Sequence, residues 1–258
     1  MITSTSSKQL KAITQLNKKA KVRRQEGHFV AEGLRIFLDA PKELIEQVYV
    51  SEHFLEKEEH KELLKDLSYE VVADHAFASV CDTKTPQGIL SIIKMPTYEK
   101  EALFAKDNPL LMVLEDLQDP GNLGTILRGA EGAGVDGVIM TKRTADLFQP
   151  KVIRSTMGSI FRMPYYITED LHKTLCELEE RGIKTYAAYL DESATDYGVH
   201  SYGQGTAFLI GNEGNGLKEE TAKAAQERII IPMQGKLESL NAAMAATILM
   251  YEAARQRR

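Results

Sequence analysis

The sequence predicts an α/β protein whose C-terminal part folds around a parallel sheet. Strand-length apolar runs such as Leu110–Leu114 alternate with longer, helix-length segments along the chain. Such alternation favours a parallel sheet, because a connection between parallel strands must be long enough to hold a crossover helix. Hydrophobic residues make up 43% and charged residues 27% of the 258 residues, which is typical of a globular protein rather than a disordered or fibrous one.

The chain is long enough for two domains, and a change of composition marks the boundary between them. Residues 96–109 contain two prolines, five charged residues and no sustained apolar period. We therefore predict a domain over residues 1–98, a linker over residues 99–108 and a second domain over residues 109–258.

Each predicted element follows from an apolar or amphipathic run bounded by turn residues. In the first domain we predict helices over residues 8–19, 34–38 and 56–67, and strands over residues 28–33, 48–50, 70–72 and 89–93. In the second domain we predict strands over residues 110–114, 138–140, 185–188, 207–210 and 228–231. Its helices are predicted to end near Gly132, to cover residues 171–181, and to run from about Leu240 to Arg255.

Several functional classes lack their sequence signatures. No apolar run approaches the roughly 18 residues that a membrane helix needs. The N-terminus is polar and the two cysteines are far apart, so we expect a cytoplasmic protein without disulfides or membrane association. The six histidines show no metal-ligand spacing, and neither a G-x-S-x-G elbow nor a P-loop is present. We therefore expect neither a metal nor a nucleophile from the protein.

Charge is segregated along a chain whose formal net charge is −5. Seven lysines and arginines, and no acidic residue, lie between Lys8 and Arg24, whereas acidic residues concentrate in residues 52–62. This segregation permits a basic face for phosphates on an acidic protein, and a solvated charged surface is the alternative.

Glycine-bearing loops that follow strands are the candidate sites, because ligands in open α/β sheets bind beside the carboxyl ends of the strands. The first loop, residues 115–124, holds Asp-Pro-Gly and leads into a helix that Asn122 is predicted to cap. Gly124 and Arg128 lie four residues apart on that helix, which leaves the guanidinium uncovered for a phosphate or a ribose. A merely capped helix with a surface arginine is the alternative.

A glycine-rich stretch at the end of this helix is misleading. Residues 132–137 match G-x-G-x-x-G, but they close a helix and precede a strand. The dinucleotide fingerprint instead follows a strand and opens a helix. We predict a helix C-cap and a turn there, and no Rossmann site.

Two more glycine loops follow predicted strands. Residues 209–217 carry three glycines, so the backbone can approach a ligand closely, and Glu213 can accept hydrogen bonds from polar ligand groups. Residues 230–241 join a strand to the last helix, and Ser239 is predicted as its N-cap. That helix is small or apolar nearly all round, which predicts burial in a core or against a second subunit, and we favour a dimer interface for part of it.

These segments, in this order, resemble those of the SpoU, or TrmH-like, branch of the SPOUT RNA methyltransferases. The matching segments are Asn-Leu-Gly at residues 122–124 with Arg128, the glycine loop at residues 211–217, Ile-Pro-Met at residues 231–233 with Ser-Leu-Asn at residues 239–241, and a middle segment at residues 151–159. The first domain, with Phe-Val-Ala-Glu-Gly at residues 29–33 and Thr-Pro-Gln-Gly at residues 85–88, resembles the family's L30e-like substrate-binding domain.

The resemblance implies a C-terminal parallel sheet with a deep trefoil knot and a smaller N-terminal α/β domain of the L30e type. It implies S-adenosyl-L-methionine as the cofactor, a homodimer, and methylation of a ribose 2′-hydroxyl in RNA. Ribosomal RNA is favoured because a separate binding domain precedes the catalytic one.

The motif positions also assign roles to individual residues. Cofactor contacts fall to Gly211, Ile231, Met233, Gly235 and Leu240, and catalytic roles fall to Asn122, Arg128, Glu213, Ser239 and Asn241. We further expect the basic N-terminal segment and the middle segment to contact RNA through Lys18, Lys19, Arg23, Arg24 and Arg154.

Two alternatives remain open at this point. The same fold can act on a tRNA ribose or on a base, and a ribosome-assembly factor could bind RNA without catalysis. The presence of Asn122, Arg128, Glu213 and Asn241 favours catalysis. Since arginine is effectively never deprotonated in proteins, we expect Arg128 to hold a phosphate and Glu213 or water to accept the proton of the hydroxyl.

Overall fold

The computed structural model describes residues 1–237 and 239–258, which form two compact units. The first unit comprises Met1–Thr97 and Asp146–Phe161, and the second comprises Tyr98–Ala145 and Arg162–Arg258. The segment Asp146–Phe161 lies inside the range predicted for the second domain but packs in the first unit. The domain limits given above therefore stay a prediction.

The described residues form strands and helices close to those predicted, with additional short elements between them. In chain order the strands are β1 (His28–Glu32), β2 (Ile45–Ser51), β3 (Tyr69–Val72), β4 (Ile89–Lys94), β5 (Leu110–Leu114), β6 (Gly137–Thr141), β7 (Tyr165–Thr168), β8 (Lys184–Ala188), β9 (Thr195–Asp196), β10 (Thr206–Ile210) and β11 (Glu227–Ile230). The helices are α1 (Lys8–Lys18), α2 (Ala20–Glu26), α3 (Leu34–Asp39), α4 (Glu58–Leu64), α5 (Asp74–Ala78), α6 (Pro120–Ala133), α7 (Pro150–Thr156), α8 (Leu171–Glu180), α9 (Glu219–Ala224) and α10 (Ala242–Gln256). Across the described part of the chain, no helix is long and apolar enough to cross a membrane.

The first unit contains a mixed four-stranded sheet in the order β1-β4-β2-β3. Strand β4 pairs antiparallel with β1 and with β2, whereas β3 pairs parallel with β2. Helix α1 buries Leu10, Ile13 and Leu16 in one apolar cluster with Tyr49 and Leu90 of the sheet. These three helix residues recur every third position and so share one face, which leaves the lysines of α1 on the other side.

The second unit contains a seven-stranded sheet in the order β7-β6-β5-β10-β8-β11-β9, and every pair of neighbouring strands is parallel. All five residues of β5 and of β10 are buried, as expected for central strands whose two faces are both covered. The predicted parallel α/β sheet is thereby confirmed. Strands β7 and β9 were not predicted from the sequence: both are short edge strands, and β9 consists of two polar residues.

The C-terminal helix returns to the middle of this sheet. Strand β11 pairs with β8, on the far side of β8 from β10, yet α10 contacts both β10 and α6. Gly129 and Gly132 permit the close approach of the two helices: a Cβ atom added at Gly132 would lie 2.9 Å from Oη of Tyr251. The chain therefore crosses the sheet after β11, which is the kind of path that the predicted knot requires.

The caps of α6 and α10 differ from those predicted. Asp119 caps α6, because Pro120 occupies the first helical position and the Asp119 side chain accepts a hydrogen bond from the backbone nitrogen of Asn122 at 2.8 Å. The last helix begins at Ala242. Asn241 caps it, because its side-chain oxygen accepts hydrogen bonds from the backbone nitrogens of Ala243 and Met244. The predicted caps Asn122 and Ser239 are therefore wrong.

Gly134 ends α6 in the left-handed conformation (φ 74°), which confirms the predicted C-cap and removes the Rossmann interpretation.

Arg23 is buried in the first unit, which corrects the expectation that it contacts RNA. Its side chain is only 4% exposed and forms an ion pair with Asp146. Its Nη1 atom also donates hydrogen bonds to the carbonyl oxygens of Leu16 and Asn17. Lys18, Lys19 and Arg24 are exposed, so the basic segment contains both a structural arginine and solvent-facing cations.

We predict that Arg23→Ala lowers the free energy of unfolding by about 3 kcal/mol, because removal of one partner leaves a partly buried charge and two carbonyls without their donor. Urea denaturation followed by circular dichroism measures the change. Arg24→Ala is the matched control, since it removes an exposed arginine one position away and should change stability by less than about 0.5 kcal/mol. Equal losses for the two variants would contradict a structural role for Arg23.

Candidate active site

Loops at the carboxyl edge of the seven-stranded sheet enclose a cavity of about 500 Å³, here called the main cavity. Its lining comes from residues 188–190 at the end of β8, from the loop after β10 and from the connection between β11 and α10. Parallel strands bring their carboxyl ends to one edge, so the sites predicted for the second and third glycine loops coincide in one place.

The loop after β10, residues 211–217, is called the glycine loop and forms a tight turn. Asn212 and Gly216 exchange two backbone hydrogen bonds of 3.0 and 2.8 Å. A Cβ atom added at Gly211 would lie 2.1 Å from the carbonyl carbon of Gly216 and from the nitrogen of Leu217. Only glycine therefore fits at position 211, because the two ends of the turn pass directly against each other.

The Glu213 carboxylate connects the glycine loop to the loop after β5. It accepts hydrogen bonds from the backbone nitrogens of Gln118 (2.9 Å) and Asp119 (2.8 Å) and from Nδ2 of Asn122 (3.0 Å). Partial burial by itself raises the pKa of Glu213, but these N–H donors outweigh it and hold the pKa below its ordinary value. The side chain is therefore an ionised anchor at neutral pH.

Asn241 connects the start of α10 to the same group. Its Nδ2 atom donates to Oδ1 of Asn122 at 2.9 Å, while its Oδ1 atom caps the helix. A continuous chain of hydrogen bonds thus runs from Asn241 through Asn122 to Glu213. Three residues that the resemblance assigns to catalysis come from three separate segments of the chain and meet here.

The other predicted residues of the site are distributed unevenly. Gly211, Ile231, Met233, Leu240 and Ser239 line the main cavity, whereas Gly235 is exposed in the same connection but does not line it. Arg128 is exposed on α6 and has no hydrogen bond or ion pair to residues 1–237 or 239–258. In the first unit, Arg154 forms an ion pair with Asp82 at 2.6 Å. The roles of all these residues in catalysis, cofactor binding and RNA binding stay predictions.

Two contributions to the site escaped the sequence analysis. Residues 188–190 at the end of β8 line the main cavity but contain no glycine, so only their place at the end of a strand marks them. Gln118 donates a hydrogen bond from its backbone nitrogen to the Glu213 carboxylate. Any residue other than proline could make this contact, so the side-chain type does not indicate it. A search of all strand ends, rather than of glycine-bearing loops alone, would have included the first of these.

Comparison with known proteins covers both units. A model of the SpoU rRNA Methylase family matches residues 109–251, and a model of the MRM3-like substrate binding domain matches residues 7–91. The chain is 32% identical to the 23S rRNA (guanosine(2553)-2'-O)-methyltransferase RlmP of Bacillus subtilis, over 97% of both proteins. It is 30% identical to the mitochondrial rRNA methyltransferase 3 of Homo sapiens, over 97% of this chain and 73% of that protein.

A solved structure with the same fold contains a cofactor. The SpoU methyltransferase AviRb from Streptomyces viridochromogenes, crystallised with AdoMet (S-adenosylmethionine), superposes with a TM-score of 0.86 at 26% identity. The match covers 97% of this chain and 98% of AviRb. The predicted fold, a C-terminal SPOUT sheet with a smaller N-terminal domain, is thereby confirmed.

The main cavity fits S-adenosylmethionine. Its volume lies within the range of about 300–1,000 Å³ that small-molecule sites occupy, and Ile229 and Leu249 provide apolar wall for an adenine ring. Glu213 is the only charged residue among the described residues of the lining, so no cation opposes a positively charged sulfonium. The four predicted contacts that line the cavity would hold the cofactor there.

We predict that Gly211→Ala weakens the binding of S-adenosylmethionine, measured by isothermal titration calorimetry, and lowers the free energy of unfolding by about 1–3 kcal/mol. The added Cβ has no room beside Gly216, so the glycine loop must shift. Gly203→Ala is the matched control, because Gly203 does not line the main cavity and a Cβ atom there meets no atom within 4 Å. Equal cofactor affinities of the two variants would show that the loop geometry does not form the cavity.

Sequence motifs, fold and relatives agree on one assignment. The family model spans more than half of the chain, and a relative above 30% identity aligns over nearly its whole length. The hydrogen-bonded residues Asn122, Glu213 and Asn241 lie within the matched range. This chain belongs to the SpoU rRNA methylase family.

Proposed function

We propose that this protein is an S-adenosylmethionine-dependent methyltransferase that modifies the 2′-hydroxyl of a ribose in ribosomal RNA. Two relatives aligned over 97% of this chain are named as rRNA methyltransferases, and one name specifies the 2′-oxygen of a guanosine. The observation that carries the proposal is the series of side-chain hydrogen bonds from Asn241 through Asn122 to Glu213, beside the main cavity. When bound, the cofactor supplies an electrophilic methyl group for an in-line displacement by an oxygen nucleophile.

The two asparagines orient the substrate in this proposal. Each side-chain amide has two N–H donors. One donor of Asn241 is hydrogen-bonded to Asn122, and one donor of Asn122 is hydrogen-bonded to Glu213. The remaining donors are held in fixed directions and can bind the oxygens of a ribose. Fixing a hydroxyl group in line with its reaction partner can account for several kcal/mol of the barrier, about 7–11 kcal/mol in the best intramolecular cases.

Glu213 acts as a positioning residue rather than as the general base. Its carboxylate already accepts three N–H hydrogen bonds, and its pKa is lowered, so it has little tendency to take a proton. We therefore infer that water accepts the proton of the ribose hydroxyl.

Arg128 holds a phosphate next to the reacting ribose. It is exposed, and residues 1–237 and 239–258 offer it no hydrogen bond or ion pair, so its full donor set is available to the RNA. A guanidinium binds a phosphate through two parallel hydrogen bonds. The positive charge would also lower the cost of negative charge developing on the nearby oxygen.

We propose a homodimer that forms through an exposed face of α10 and α6. Met244 and Tyr251 of α10 are 56% and 46% exposed, which is unusual for large apolar side chains on a helix otherwise packed in the core. Thr125 is exposed on the neighbouring helix. Sedimentation velocity checks this proposal, and a monomer at micromolar concentration would contradict it.

The function itself is tested by incubating ribosomal RNA with the protein and S-adenosylmethionine and mapping the methyl group by mass spectrometry of nuclease fragments. The 23S guanosine in the name of the Bacillus subtilis relative is the first position to inspect. Methylation of tRNA or of a base would replace the proposal with the alternative substrates. Absence of any heat on titration with the cofactor would instead support a non-catalytic factor.

We predict that Arg128→Lys keeps RNA and cofactor binding but reduces kcat by at least about a hundredfold, because lysine provides the charge without the two-pronged donor geometry. Single-turnover methylation and calorimetry measure the two properties separately. Arg181→Lys is the matched control, because Arg181 directly follows α8 in another part of the same unit. Full turnover in Arg128→Lys would remove Arg128 from the mechanism.

We predict that replacing Lys18, Lys19 and Arg24 together with alanine flattens the salt dependence of RNA binding, because fewer phosphate counterions are released. Three lost phosphate contacts would reduce the slope of log K against log salt by about 2–3. A triple alanine variant at Lys57, Lys61 and Lys65 has the same change in charge and serves as the control. Equal slopes for the control and the test variant would place the RNA on another surface.

A further inference from the structure

A second cleft borders the glycine loop in the same unit. It has a volume of about 440 Å³ and shares Asn212 and Gly216 with the main cavity. Its other walls come from the loop after β5, the loop after β6 and Lys218. We call it the polar cleft, because the side chains that line it are all charged or carry an amide.

Asp116 is rigidly held at the bottom of the polar cleft. Its backbone adopts the left-handed conformation (φ 53°), which is uncommon outside glycine and which Asp tolerates better than most residues. Its nitrogen donates to Oγ1 of Thr141, whose hydroxyl donates to Oδ1 of Asp116, both at 2.8 Å. Its carbonyl oxygen accepts from Nδ2 of Asn212 at 3.0 Å. The other carboxylate oxygen, Oδ2, lies 3.4 Å from Nζ of Lys218 and 3.7 Å from Nε of Arg143.

Arg143 lines the polar cleft with a hydrogen-bonded backbone and an exposed side chain. Its carbonyl oxygen accepts a hydrogen bond from Nε2 of Gln118, and the neighbouring Ala145 donates to Leu117 at 2.7 Å. The side chain is 80% exposed, and its Nε atom lies 3.7 Å from Oδ2 of Asp116, beyond the range of a charge-assisted hydrogen bond. Its Nη atoms have no hydrogen bond to residues 1–237 or 239–258.

The charges of the polar cleft fit a nucleobase better than a phosphate. Nζ of Lys218 lies 3.4 Å from a carboxylate oxygen of the buried Glu115 and from one of Asp116, so carboxylates lie directly beside the cations of the cleft. A phosphate offers acceptors only and would be repelled by those carboxylates. The cleft instead presents donors on Arg143 and an acceptor on Asp116 side by side, which is the pattern that a guanine edge requires. Guanine accepts at N7 and O6, and it donates from its 2-amino group and N1.

We propose that the polar cleft binds the guanine base of the nucleotide whose ribose is methylated, with Arg143 donating to N7 and O6 and Asp116 accepting from N1 and the 2-amino group. The proposal rests on the function proposed above and adds the base that the protein selects. The shared glycine loop explains why base and ribose can be held together: the cleft for the base and the cavity for the cofactor are its two neighbours.

The test uses short RNA substrates that contain the mapped nucleotide, with its guanine replaced by hypoxanthine, which lacks the 2-amino group, or by 7-deazaguanine, which lacks N7. For the unmodified protein, kcat/KM should fall about tenfold with each replacement, as for loss of a good base contact. Arg143→Lys should become indifferent to the loss of N7, because lysine keeps the charge but not the paired donors. Asp116→Asn, which tolerates the left-handed backbone, should become less sensitive to the loss of the 2-amino group.

Two controls separate base recognition from other effects. Lys106→Ala removes an exposed cation that is paired with Asp136 elsewhere in this unit, and it should leave both sensitivities unchanged. Cofactor affinity should be unchanged in Arg143→Lys. If Arg143 instead contacted a phosphate, RNA methylation would tolerate lysine at this position, and the loss of N7 would have no effect. If Asp116→Asn does not fold, the Arg143 variant alone decides.

Three results would overturn the inference: methylation of a nucleotide other than guanosine, equal rates on the three substrates, or full N7 sensitivity in Arg143→Lys. Each of these leaves ribose methylation of RNA intact. A protein that binds the cofactor but methylates no RNA would overturn the proposed function, and this inference with it.

Discussion

The contact between the Glu213 carboxylate and three N–H donors holds the site together. Two of the donors belong to the backbone after β5 and the third to Asn122, so the glycine loop and the first loop cannot move independently. Asn241 adds the start of α10 through Asn122. The same hydrogen bonds that order the loops also lower the basicity of the carboxylate, so a strong anchor cannot at the same time be a good general base.

A parallel sheet explains why the site can have two neighbouring compartments. Its strands end at one edge, and the loop after the central strand β10 therefore has neighbours on both sides. On one side the lining is largely apolar and Glu213 is its only charged residue among those described. On the other side the lining includes the charged side chains of Asp116, Arg143 and Lys218, which form ion pairs of 3.4 to 3.7 Å. The two compartments differ in the chemistry they can bind, although they share a wall.

The basic N-terminal segment illustrates a limit of sequence reasoning. Arg23 and Arg24 are adjacent and chemically identical, but Arg23 points inward to Asp146, 123 residues further along the chain, and Arg24 is exposed. A segment rich in basic residues predicts a phosphate-binding face, but it does not indicate which of its cations are buried in ion pairs within the protein. The helix caps show the same limit at short range, since Asp119 and Asn122 are both good capping residues and the position of Pro120 decides between them.

The amino-acid sequence alone determined the parallel α/β class, the central strands β5 and β10, the C-cap at Gly134 and the family, because continuous apolar runs, glycine and motif order are local properties of a chain. Only the tertiary structure decided that Asn241 rather than Ser239 caps the last helix, that Glu213 is an anchor and that Arg143 stands over Asp116. The physical reason is that these properties depend on hydrogen-bond partners far away in sequence, as in the pairing of Asn122 with Glu213 across 91 positions and with Asn241 across 119. Folding, and not local pattern, brings those atoms within reach of one another.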